Sequence, residues 1–270
     1  MPNKVSSDQS LVSVDHAIRV CVYILAVAVP LVFSPAFYAV FSMPKLAALR
    51  IISLAIIFLW GYKIFSEEKF SYHKSFFNIL LLIAAGVAVV TTVFSTVFYT
   101  SLYGAEGRFL GVFTMINLLL LPFITFNFLR EKKAVQKFMI INFITATVLS
   151  IYGILQFLGI FQASFNWSQD PTMRVFGTVG QSNHFGAYIG MNILLGCGLY
   201  QHFKTHKYRI YFIAALILQA LVLFLTTSRG AVMAVLVALI FLTVTSLFQQ
   251  KTSTEKLKKY TLSLLLFFIF

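Results

Sequence analysis

The sequence predicts an all-α protein, a polytopic transmembrane helix bundle of about nine crossings with the last one truncated. Three observations predict it. Hydrophobic residues make up 59% of the 270 and charged residues only 11%, with a mean hydropathy of +0.88. That is too little charge for a water-facing surface of this size. The apolar residues gather in runs of about 17 to 24, and about 20 residues of helix span the hydrocarbon core. The runs lack strand-period alternation, and an open sheet edge would leave backbone groups unsatisfied in lipid.

Crossings are expected at 20–41, 46–65, 76–98, 109–129, 138–161, 185–202, 210–227, 231–248 and from 260 onward. Residues 1–19 read as a loose cytoplasmic tail, and 20–270 as the transmembrane domain. The first run continues through Pro30 and Pro35 to Phe41 without a small-residue cleavage site, so it is too long for a signal peptide. Arg50, about one turn inside the second crossing, is placed to snorkel outward. Gly186 and Gly190 in the sixth form a small-xxx-small pair that suits close helix packing, and Gly198 is expected to extend that face. The ninth run is still apolar at Phe270, so the sequence is expected to stop inside a crossing. Cys21 and Cys197 fall within crossings and read as buried thiols, with no disulfide or metal signal.

Charge orients the bundle. A net charge of +13 is compatible with nucleic-acid binding, but the basic residues alternate between loops, as membrane topology requires. Sixteen lie on one side, which is therefore cytoplasmic together with the N-terminus. Lys45, Arg108, Arg174 and Arg229 lie on the other.

Three segments on that outward side carry chemistry: 99–111 (YTSLYGAEGRFLG), 162–186 (QASFNWSQDPTMRVFGTVGQSNHFG) and 226–230 (TTSRG). Each holds one arginine where positive charge is otherwise sparse. A guanidinium fork stays charged and binds phosphate oxygens bidentately, which suits a lipid-linked diphosphate at the membrane face. In 162–186, Asp170-Pro171 marks a turn, and Gly177 and Gly180 permit close backbone approach. Gln181, Asn183 and His184 set polar groups at a helix N-terminus, whose dipole favours anions. Plainer readings fit the same residues: Arg229 snorkelling to headgroups, Arg108 pairing with Glu106, and 174–186 serving only as a glycine-bearing helix cap.

The run from Arg174 to Tyr188 (RVFGTVGQSNHFGAY), followed by Ser228-Arg229-Gly230-Ala231 at the start of a later crossing, resembles the O-antigen ligase and polymerase superfamily. Its members share an R-x-x-G-x-x-x-x-x-N loop and a later S-R-[GA]-[AG] turn. Met43-Pro44-Lys45 and the 104–111 segment (GAEGRFLG) are similar in the same order, so the resemblance covers most of the chain.

The resemblance implies a metal-independent, cofactor-free glycosyltransferase on the outer face of the bacterial inner membrane. Its donor would be an undecaprenyl-diphosphate-linked glycan, and its acceptor lipid A-core or another glycan, with membrane lipid as the remaining partner and no nucleic acid. Arg174 and Arg229 would converge on the donor diphosphate, with Arg108, Gln181 and Asn183 as further substrate-binding residues. No catalytic residue is assigned. His184, the one histidine expected outside, is the candidate. Family members carry a large extracytoplasmic loop with an acceptor-activating histidine in their C-terminal half, and the sequence given ends before such a loop. The competing class is a transporter or flippase for a lipid-linked sugar or small anion. Against it, no Asp or Glu falls inside an expected crossing to couple transport.

Overall fold

The computed structural model describes residues 2–67, 75–106, 108–160, 170, 172–203 and 206–249. Among them every regular element is a helix: α1 (Pro2–Leu31), α2 (Ser42–Glu67), α3 (Phe76–Val93), α4 (Phe98–Tyr103), α5 (Val112–Phe128), α6 (Lys132–Phe157), α7 (Ser182–His202), α8 (His206–Leu225) and α9 (Arg229–Gln249). Five segments are long and apolar enough to cross a membrane: Ser13–Leu31, Ser42–Ser66, Phe76–Val93, Lys132–Phe157 and Tyr208–Leu225. Val112–Phe128 and Arg229–Thr245 are apolar but shorter. The helices expose large side chains that water would not tolerate in such number. Phe58, Phe65, Phe76 and Leu82 are all more than 60% exposed, as lipid-facing residues of a helical membrane protein should be.

Several boundaries differ from those read off the sequence. The expected loose tail is helical from Pro2, continuous with the first apolar segment. That helix stops at Leu31 rather than Phe41, because Pro30 and Pro35 remove backbone donors. The third crossing ends at Val93, and a separate short helix, α4, precedes Gly104. The ninth crossing and residues 162–169 lie outside the described residues.

The chain divides into two compact units, Met1–Ile141 and Asn142–Phe270. In the first, Ile18, Val22 and Leu25 of α1 pack with Leu49 and Ile56 of α2 and Ile124 of α5. Arg19 pairs with Glu131 at 2.8 Å and Lys63 with Asp15 at 2.6 Å. Lys45 is held by the backbone. Its Nζ donates to the carbonyls of Val29, Pro30 and Val32 at 2.9, 3.0 and 2.9 Å, capping the C-terminal end of α1.

In the second unit, α7 packs on both α8 and α9. Gly186 makes the second contact possible: a Cβ there would sit 3.0 Å from the Ser228 Cβ and 3.2 Å from the Ala231 Cβ. At Gly190 it would sit 2.8 Å from Val235. Gly198 does not extend that face, since among the described residues nothing lies within 4 Å of its Cβ position. Eight residues after Gly190 the helix has turned about 80° past the stripe. Gly196 is the close-packed glycine instead, against Phe143 and Leu216.

Candidate functional site

The site lies in the second unit, where the strap between α6 and α7 meets the turn between α8 and α9. Asp170 opens the strap. Its Oδ1 accepts from the Thr172 amide at 2.9 Å and the Thr172 hydroxyl at 2.7 Å, and its carbonyl accepts from the amides of Met173 and Arg174. Val175, Phe176, Gly177 and Thr178 are then buried, so their polar backbone groups need partners. The Val175 amide donates to the Leu225 carbonyl at 3.2 Å. Those of Phe176 and Gly177 donate to Gln156 Oε1 at 3.3 and 2.9 Å. Gly177 and Gly180 both take positive φ, +57° and +89°, which only glycine adopts without strain.

Arg174 is half-buried and held by both neighbouring elements. Its Nε donates to the Thr226 carbonyl at 3.0 Å and its Nη2 to Asn183 Oδ1 at 2.5 Å. Nη1 has no partner among the described residues. Thr226, which receives Nε, is itself buried: its hydroxyl donates to Leu223 and accepts from the Ser228 amide. Thr227 follows at φ +52°, a left-handed conformation uncommon for a β-branched residue.

Arg229 is the first residue of α9 rather than part of the turn. It is exposed and makes no hydrogen bond or ion pair among the described residues. A cation at a helix N-terminus opposes the dipole, so fold stability does not explain it. Asn183, the second residue of α7, is exposed and binds Arg174. Gln181 is the N-cap of α7, yet its side chain makes no capping bond and does not join Arg174. His184 is exposed on the third residue of α7, with no partner among the described residues. Arg108 belongs to the first unit and is exposed between α4 and α5. Glu106, the partner considered for it, forms no ion pair with it among the described residues.

A groove of about 410 Å³ runs between α7 and α9, with Asn183, the partner of Arg174, in its lining. Asn183 and Ser228 stand at its polar end, and Ala187, Gly190, Met191, Leu194, Ala234 and Val235 line the rest. Of the residues singled out in the sequence, Arg174 and Asn183 come together, whereas Gln156 and this groove did not stand out there. An amide inside an otherwise apolar crossing was the available signal for Gln156. The chain matches no protein-family model, no curated protein and no solved structure.

Proposed function

We propose that this chain is an O-antigen ligase-like glycosyltransferase of about nine crossings in the bacterial inner membrane, with its N-terminus cytoplasmic. It takes a glycan from undecaprenyl diphosphate at the outer face and passes it to a lipid or polysaccharide acceptor. The observation that carries the reading is the fixed guanidinium of Arg174. Two of its nitrogens are spent on Thr226 and Asn183, which join the turn before α9 to the start of α7. Nη1 remains for an anion, and Arg229, exposed and unpaired among the described residues, stands three residues beyond Thr226. Two helix N-termini open on the same place, and their dipoles favour negative charge. An anion here offsets the unfavourable placement of Arg229.

Preorganised donors of this kind stabilise charge that builds on a departing diphosphate as its glycosidic bond breaks. The groove between α7 and α9 runs from Asn183 and Ser228 along apolar side chains, as an isoprenoid chain requires. The test is to incubate the purified chain in nanodiscs with undecaprenyl-diphosphate glycan and follow its binding by native mass spectrometry. Transfer to lipid A-core is assayed in parallel. Binding that undecaprenyl diphosphate competes away supports the reading. Absence of binding, with uptake of a labelled anion into proteoliposomes, would replace it with transport.

A further inference from the structure

Gln156 lies on α6 and is only 1% exposed, amid an apolar stretch of Ile154, Leu155, Phe157 and Leu158. A buried amide is disfavoured there unless its polar atoms are used. Its oxygen is used twice, by the successive amides of Phe176 and Gly177. Two N–H donors require an acceptor, so the oxygen faces the strap and the nitrogen is the atom turned away. That Nε2 is buried and has no partner among the described residues. The position therefore keeps a polar side chain for its acceptor, at the expense of an unsatisfied donor.

The two amides belong to the second and third residues after Arg174, and Leu225 holds the amide of the first. The strap cannot settle elsewhere at little cost. Gly177 has φ +57°, and a Cβ on it would come within 2.9 Å of the Phe185 ring. One turn before Gln156, Gly153 brings α6 against the same strap, with its Cβ position 3.2 Å from Val175.

We infer that Gln156 is a positioning residue: it fixes the strap so that Arg174 presents Nη1 to the anionic ligand. The inference rests on the reading of Arg174 as a diphosphate-binding residue. Without the Gln156 oxygen, two buried amides lose their acceptor and the strap shifts to recover one. A guanidinium site displaced by an ångström no longer matches a diphosphate.

Two readouts on the purified full chain in nanodiscs test this: the rate at which phenylglyoxal modifies Arg174, followed by mass spectrometry, and the Kd for undecaprenyl diphosphate. Gln156→Met removes the acceptor, and Gln156→Glu keeps it. Gln219→Met is the control. Gln219 is another fully buried amide of this unit, whose Nε2 donates to Thr147 Oγ1 away from the strap. Gln156→Met should speed modification of Arg174 and weaken binding by about tenfold each, with Gln156→Glu recovering most of both. Gln219→Met should change either by less than about twofold at a comparable loss of Tm. Equal behaviour of Gln156→Met and Gln219→Met in both readouts would overturn the inference. If the wild-type chain binds no undecaprenyl diphosphate, the functional reading fails and the phenylglyoxal rates alone decide the role of Gln156. Should Gln156→Met not fold, Gln156→Asn takes its place, its oxygen withdrawn by one methylene.

Discussion

Arg174 Nε donates to the Thr226 carbonyl at 3.0 Å, joining two segments 52 residues apart in sequence. The arginine is therefore part of the fold as well as the candidate site. Arg174→Met should lose two charged hydrogen bonds and destabilise the second unit by about 1.5–3 kcal/mol. Chemical denaturation in detergent, monitored at a probe on α7, measures this. An unchanged midpoint would show that the arginine is not a structural tie.

The glycines of α7 separate packing from chance. Gly186→Ala should destabilise by about 1–3 kcal/mol, because its new methyl meets Ser228 and Ala231 where α7 packs on α9. Gly198→Ala has open space and should be neutral or stabilising by up to about 1 kcal/mol. Thermal unfolding of the two variants reads the difference. Equal effects would remove the stripe as the reason for the close contact.

Lys45 offers a test in the first unit. Lys45→Met keeps most of the apolar stem but withdraws the ammonium from three carbonyls at the end of α1. A loss of about 1–3 kcal/mol is expected, with ligand binding in the other unit unchanged. Denaturation and binding measured on the same preparation check both halves of that statement.

Much of the fold was legible because long apolar runs have few solutions in lipid, and α2, α3, α6 and α8 fall close to where those runs lie. Arg174 and Arg229 stood out as cations on the sparsely charged side. Charge counting does not show that the Lys45 side chain folds back to the carbonyls of a helix ended near Pro30. Gly198 was misplaced because small-residue spacing was extended beyond the helical period. Gln156 was passed over as one polar residue in an apolar run, and its value depends on two amides twenty and twenty-one residues away.

Sidedness is tested by single cysteines in a chain whose Cys21 and Cys197 are replaced by alanine. Cysteines at Ala105 and Thr227, both exposed, should label with an impermeant reagent from outside the cell, while those at Ser66 and Lys133 should not. The reverse pattern would place the candidate site in the cytoplasm.

The most direct measurement is the Kd of undecaprenyl diphosphate for the wild-type chain, Arg229→Ala and Arg229→Lys in nanodiscs of matched composition. Arg229 is exposed, unpaired among the described residues, and of the wrong sign for a helix N-terminus. Its removal should thus leave Tm unchanged or slightly raised. Binding should weaken about 10- to 100-fold in Arg229→Ala, with partial recovery in Arg229→Lys, which keeps the charge and loses the fork. Wild-type affinity in Arg229→Ala would contradict the diphosphate site and leave the arginine as a headgroup anchor.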